Sequence, residues 1–347
     1  MPARRRIKKP AEAESFQVSF SRIRAWRRCH RAHHYRYVER LQKKKPPVPL
    51  IRGRMIGECL DQAVTGRSWE NLLARYRKQY GKLFKEEQEM YGTLLEDVDR
   101  IVRNYMGVWG KQGGFKGYIC DDKTGNPYEV ELNLVLPSGI PFVGFIDKMP
   151  VDKEKRVWVL DHKSHKNIPD EEARFGDLQT LLYMWAAPLC GYPKPVGVVW
   201  DYLRTKPPSV PEVLKSGEMS RRENIDTTWD VYSEALVEAG LDPDSYADMQ
   251  EKLKGREAKF FQRVFLPHPS DTMVKAMVED VDNTAREIQK NMDDGTRTMN
   301  KDCSWCQFYL LCHAETRGLD AAFIRKAHYE TKEGEYDGHE KNVPEEE

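Results

Sequence analysis

Three residues near the middle of the chain could do chemistry together. Asp147 closes the apolar run Phe142-Val143-Gly144-Phe145-Ile146, and Asp161-His162-Lys163 closes the next run, Val157-Trp158-Val159-Leu160. Both runs read as strands, with Lys153-Glu154-Lys155 as a charged turn between them. Asp161 and Lys163 are two apart on a strand, so their side chains leave one face while His162 points to the other. Two carboxylates suit a hard cation such as Mg²⁺ or Mn²⁺, and a neighbouring ammonium can orient a water or neutralise charge developing on a phosphate. By itself Asp-x-Lys also describes a solvated strand end. The segment Phe175–Leu189 argues against that, because Leu178, Leu181, Leu182, Trp185 and Leu189 recur at helical spacing. Gln179 and Tyr183 stand one turn apart on that helix and could both reach a phosphate or a metal-bound water.

A second group of candidate ligands lies near the C-terminal end. Cys303-Ser-Trp-Cys306-x5-Cys312 packs three thiols into ten residues. Cys-x-x-Cys can clamp one metal ion, and a fourth ligand need not be close in sequence. Zinc on these three with Cys29 or His313 is chemically sound, and free thiols or a disulfide are the readings without a metal. Cys59, Cys120 and Cys190 lack ligand spacing and read as buried thiols.

The sequence resembles the PD-(D/E)xK nuclease superfamily. Within it, the RecB-like exonucleases match best, a group that includes the nuclease domains of RecB and AddB, CRISPR-associated exonucleases and many phage proteins. The residues that carry the likeness are Gly144-Phe-Ile-Asp147, Asp161-His-Lys163 and Gln179-x-x-x-Tyr183. The resemblance implies a mixed α/β (α+β) restriction-endonuclease-like core flanked by helices. It implies that Asp147 and Asp161 bind the metal with the carbonyl of His162, that Lys163 is catalytic, and that Gln179 and Tyr183 line the DNA path. A lone N-terminal Cys with Cys-x2-Cys-x5-Cys at the other end is similar to the family members that carry an iron–sulfur cluster. By that likeness a [4Fe–4S] cluster on Cys29, Cys303, Cys306 and Cys312 joins the two ends of the chain. One departure stands out: Gly53-Arg-Met-Ile-Gly57 has Gly where the family commonly has a His ligand. Glu58, Asp61 or water could take that place.

Composition fits a protein that handles nucleic acid. Mean hydropathy is −0.73, and no apolar run is long enough to span a membrane. Net charge near +1 hides an asymmetry: residues 1–54 hold 17 Lys and Arg against 3 Asp and Glu, leaving 39 against 52 for the rest. Basic residues interleaved with Trp26, Tyr35 and Tyr37 suit phosphate contact with base stacking. The basic start does not read as a signal sequence, so a cytoplasmic location without disulfides is expected.

The expected organisation is a disordered arm over 1–14, a helical region over 15–112 carrying Cys29, a nuclease core over 113–266, a helical and cysteine segment over 267–331, and a disordered tail over 332–347. A helix capped at Ser19 or Ser21 is expected to run through Cys29 to Val38, with Lys43–Pro47 a loop. Further helices are expected over Ile51–Val64, Trp69–Phe84 and Glu86–Trp109. The core should be a strand meander from Tyr118 to Lys163. No phosphate-binding Gly-x-x-x-x-Gly-Lys-Ser/Thr, Gly-x-Ser-x-Gly or His-Glu-x-x-His motif occurs. The expected function is a divalent-metal-dependent exonuclease acting on single-stranded DNA ends, with a helicase or recombination protein as a possible partner. The alternatives are a DNA-end-binding protein of this fold with little turnover, and a zinc-stabilised nucleic-acid-binding module.

Overall fold

The computed structural model describes residues 16–332 apart from Lys111 and 168–177, and omits the side chain of Met90. The expected arm, the expected tail beyond Lys332 and the start of the helix expected from Phe175 lie outside the described residues. The fold is mixed α/β, with short strands gathered into several small sheets among helices. No described helix is long and apolar enough to cross a membrane.

The chain forms two compact units. The first draws on described residues of the spans Met1–Lys45, Asn133–Gly144 and Lys275–Glu340, the second on those of Pro46–Leu132 and Phe145–Val274.

In the second unit the strand Val159–His165 runs parallel to Gly197–Arg204, which pairs antiparallel with Phe261–Pro267. A parallel pair needs a crossover, and the helix Leu178–Leu189 lies within it. The middle strand, Gly-Val-Val-Trp-Asp-Tyr-Leu-Arg, is buried along all but its last residue, as expected of a strand covered on both faces. Its Leu203, with Phe260 and Phe261, joins the core made by the helices Val48–Val64, Trp69–Tyr80 and Lys85–Trp109. The first of these comes close to the strand at Gly53, where a Cβ would stand 2.9 Å from Ser164 Oγ. A satellite core of Met219, Tyr232, Leu236, Tyr246, Met249 and Leu253 lies under the segment 219–253.

The expected helices over Ile51–Val64, Trp69–Phe84 and Glu86–Trp109 are present with small shifts of their ends. The expected meander is not continuous. Gly117–Tyr118 pairs with Pro150–Val151, and only isolated bridges, Lys148 to Leu160 and Val151 to Val157, link the two site-bearing runs. Pro150 supplies no N–H to a ladder. The turn between them is held by Asp152, which accepts from the N–H groups of Glu154 and Arg156 at 3.0 and 2.8 Å.

In the first unit Ser19 caps the helix Phe20–Arg28 by accepting from Arg22 N–H at 3.2 Å. That helix does not run through Cys29 as expected. Cys29 is extended (φ −170°, ψ 118°), and the chain restarts as His30–His33 followed by a π-turn over His34–Val38. The N–H of Arg31, free at the new helix start, donates to the Thr296 carbonyl at 2.9 Å. Lys43, expected in a loop, ends the strand Leu41–Lys43, which pairs antiparallel with Tyr329–Thr331. Tyr35, Leu41, Phe308, Leu311 and Tyr329 form the core beside it.

Candidate active site

Asp147 and Asp161 meet through the backbone of the second strand, since His162 N–H donates to Asp147 Oδ2 at 2.9 Å. Lys163 Nζ lies 2.6 Å from Asp161 Oδ2 and 5.4 Å from the centre of the Trp200 ring. The parallel register sets Asp161 beside Trp200 and Lys163 beside Tyr202, so two stacked aromatic rings form the floor next to the ammonium. From the crossover helix, Gln179 Oε1 accepts from Lys163 Nζ at 3.5 Å, and Gln179 Nε2 donates to the Tyr183 hydroxyl at 3.1 Å. Burial drives the Tyr183 hydroxyl above the ordinary tyrosine range; the Gln179 bond opposes this, and the charges of Asp147 and Asp161 add to it. Tyr183 therefore stays protonated and lies within electrostatic reach of both carboxylates. The five side chains expected from the sequence come together at this edge. Leu189 does not belong to the buried face of its helix, being 61% exposed.

The other face of the same strand carries a polar chain that the sequence did not announce. His162 Nδ1 faces Asp201 Oδ2 at 3.2 Å, and Nε2 lies 3.1 Å from Lys148 Nζ. Lys148, only 2% exposed, also donates to Asp61 Oδ1 at 2.7 Å. His162, Asp201 and Arg263 stand directly opposite one another across the three strands. Arg263 Nε donates to Asp201 Oδ1 at 3.1 Å, and the buried Tyr105 hydroxyl donates to Oδ2. Burial alone would raise Asp201, but the His162 hydrogen bond and the charges of His162 and Arg263 outweigh it and hold the carboxyl at about 2. The sequence signal was available: an Asp inside a fully apolar strand, Val-Val-Trp-Asp-Tyr-Leu, demands a buried partner.

This network changes the reading of the helix that lacks the His. Asp61, a candidate substitute ligand, has its Oδ1 engaged by the buried Lys148 at 2.7 Å. Glu58 accepts from the Tyr76 hydroxyl at 2.5 Å and lies 3.7 Å from Arg54. Gly57 has open space where a Cβ would stand.

The profile of the PD-(D/E)XK nuclease superfamily matches residues 17–313, most of the chain. The chain belongs to the PD-(D/E)XK nuclease superfamily. A solved structure described as "Crystal structure of SSO0001" aligns with 76% of this chain and 97% of that one at 14% identity, with a TM-score of 0.31, too weak a likeness to bear on function. No curated protein matches the sequence.

Members of this superfamily are typically nucleases that use Mg²⁺ or Mn²⁺. The donor chemistry at the edge fits such an ion: Asp147, Asp161 and a main-chain carbonyl are hard oxygens, the type both ions prefer. Among the described residues no three or more His, Cys, Asp or Glu side chains are gathered to hold a metal; the expected set at this edge contains only two, and the expected four-cysteine set is not assembled.

The four expected cluster cysteines lie in the first unit, and two of them, Cys29 and Cys303, contact the peptide of Thr298. Its N–H donates to Cys29 Sγ at 3.4 Å, and its carbonyl accepts from Cys303 Sγ at 3.8 Å. Burial raises the Cys306 thiol; the Phe308 main chain and Arg28 oppose it, and Cys29 and Cys312 add to it, so Cys306 senses two of the other three. Glu315 holds the frame, accepting from Tyr35 at 2.6 Å, Arg31 at 2.5 Å and Arg297 at 2.7 Å. His313 stacks on Tyr309, with ring centres 5.3 Å apart. Cys59 is buried as expected, but Cys120 is exposed and Cys190 only half-buried. Trp26, Tyr35 and Tyr37, expected to stack on bases, are at most 9% exposed. Their apolar rings belong to the core, as ring stacking of Trp26 on His30 at 3.8 Å illustrates.

Proposed function

We propose that this nuclease-superfamily protein is a divalent-metal-dependent, RecB-like exonuclease that acts on single-stranded DNA ends. The observation that carries the reading is the convergence of Asp147, Asp161 and Lys163 with the Gln179–Tyr183 pair at one sheet edge. Mg²⁺ or Mn²⁺ on Asp147, Asp161 and the His162 carbonyl would supply Lewis-acid activation of the scissile phosphate and of the attacking water. The protein's own groups do the rest. Lys163 holds positive charge beside Asp161, where it can orient the water and stabilise charge building on the phosphate oxygens. Gln179, bonded to both Lys163 and Tyr183, fixes the ammonium laterally and offers polar contacts to the strand. Water oxygen bonds to phosphorus, one phosphorus–oxygen ester bond breaks, and the departing oxygen takes up a proton.

A [4Fe–4S] cluster on Cys29, Cys303, Cys306 and Cys312 is part of the proposal. Support comes from the cysteine spacing and from Thr298 N–H, which donates to Cys29 Sγ as it would to a ligating sulfur. Hydrogen bonds to ligand sulfurs are a usual feature of such sites. Anaerobically purified protein should then be brown and contain iron and sulfide, and Cys29→Ser should cost as much iron as Cys306→Ser. Colourless protein with stoichiometric zinc would replace the cluster by the zinc reading, with His313→Ala separating its ligands.

The decisive assay uses end-labelled single- and double-stranded DNA with and without Mn²⁺. Progressive shortening of the single strand, lost in Asp147→Ala, Asp161→Ala and Lys163→Ala, is the expected result. Binding without cleavage under every metal condition would make the protein an end-binding relative instead.

A further inference from the structure

Trp305 is the most exposed large apolar side chain among the described residues, at 86%. The chain has eight tryptophans, all within the described residues, and the other seven are buried or half-buried. Its backbone is firmly held. Asn300 caps the short helix Lys301–Trp305 by accepting from Asp302 N–H at 2.9 Å, Cys306 N–H donates to the Cys303 carbonyl at 3.1 Å, and Phe308 anchors the following turn in the core. The indole is thus presented by a rigid mount, between two of the cysteines. Met299 at 76% and Tyr309 at 43% exposure, the latter stacked on His313, continue the apolar surface along the same segment.

A cation accompanies it. Arg28 donates to the main-chain carbonyl of Asp302 at 2.6 Å and lies near enough to Cys306 to act on its thiol. It makes no ion pair with a carboxylate among the described residues, and Lys301 adds a second exposed cation beside Asp302. An exposed rigid aromatic next to an uncompensated guanidinium matches a base and its adjoining phosphate. The combination is also where the base stacking once expected of Trp26, Tyr35 and Tyr37 can occur on this unit.

We propose that Trp305 is a stacking platform for an unpaired base of single-stranded nucleic acid, with Arg28 receiving the neighbouring phosphate. This rests on the nuclease reading for its choice of ligand, not for its geometry. Stacking on one aromatic is strong enough that its loss should weaken binding by at least about fivefold.

The test measures binding of full-length protein, in EDTA to prevent cleavage, to labelled oligo-dT and to an abasic strand of equal length. Trp305→Ala should weaken oligo-dT binding at least about fivefold and leave abasic binding unchanged. Trp305→Phe should restore most of the loss, and Arg28→Ala should weaken both strands alike. Iron or zinc content and the melting midpoint, read on every variant, exclude loss of the segment's fold as the cause. Wild-type affinity in Trp305→Ala overturns the proposal, as does an equal loss on both strands. So does a change confined to self-association, which would make this face a protein contact. Protein that binds through Trp305 yet cleaves no DNA would sink the nuclease reading and leave this one standing.

Discussion

The two faces of the strand Val159–His165 use the same kinds of residue for opposite ends. On one face Lys163 sits 2.6 Å from Asp161 with a quarter of its side chain exposed. On the other, Lys148 sits 2.7 Å from Asp61 with 2% exposed, and His162 and Asp201 extend the chain to Arg263. The buried face spends its charges on one another and holds the strand in place. The other face leaves the Lys163 ammonium a quarter exposed and Asp147 and Gln179 half-buried, with Asp161 and Tyr183 buried beside them. Exposure of the lysine, more than residue type, separates the two faces: 24% for Lys163 against 2% for Lys148.

The sharpest way to break this comparison is to remove a lysine from each face. Lys163→Ala should lower the cleavage rate by about 10²–10³, the scale of losing one preorganised charge-stabilising donor, while the unfolding free energy in urea falls by less than it does for Lys148→Met. Single-turnover assays with saturating DNA and Mn²⁺ check the rate, and a variant that cleaves normally removes Lys163 from the chemistry. Lys148→Met should do the reverse to stability. It leaves the half-buried Asp61 without its cation and should cost about 2–4 kcal/mol in urea unfolding. Most of that should return in the double variant Lys148→Met/Asp61→Leu, whose pair is apolar. A single-variant cost under about 1 kcal/mol would show that the buried chain contributes little.

A smaller effect separates the faces by pH. Asp201 is held at about 2 in the folded state, below the ~3.9 of an unfolded aspartate. Between those values the unfolded chain binds the extra proton, so this group's stabilisation is complete above about pH 4 and fades as pH falls towards 2. The stability gap between wild type and Asp201→Asn should therefore shrink over that range. A gap independent of pH would mean that the carboxylate charge is not what stabilises this face.

The smallest expected change is at Gly57. With open space at its Cβ position, Gly57→His should be tolerated and gain under about 1 kcal/mol from helix propensity. An added imidazole should also lower the divalent-ion concentration for half-maximal cleavage by a few fold, whereas Asp61→Ala should cost stability instead. An unchanged metal titration in Gly57→His would show that this helix does not approach the ion.

Much of the site could be read directly from the chain. Asp147 follows one apolar strand, Asp161-His-Lys163 lies within the next, and Gln179 and Tyr183 are one helical turn apart, so local periodicity was enough to put them on matching elements. The helices over 48–109 followed from their apolar stripes for the same reason. The helix break at Cys29 was not legible, because it depends on Thr296 and Thr298, more than 260 positions away, bonding the Arg31 N–H and the Cys29 sulfur. Nor was the burial of Trp26, Tyr35 and Tyr37, since aromatics among arginines look alike in a core and on a surface.

The sequence by itself determined the chemistry available: two carboxylates and a lysine on adjoining strand segments, four cysteines in two distant segments, and one tryptophan between two of them. These follow from covalent order and from the periods of strand and helix. Tertiary structure decided which charges work and which are spent. Register alone put Asp201 between His162 and Arg263, folding alone gave Asp61 to Lys148, and packing alone buried seven tryptophans to some degree and left Trp305 in solvent. The physical reason is that desolvation and pairing belong to neighbours distant in the chain, which no local pattern encodes.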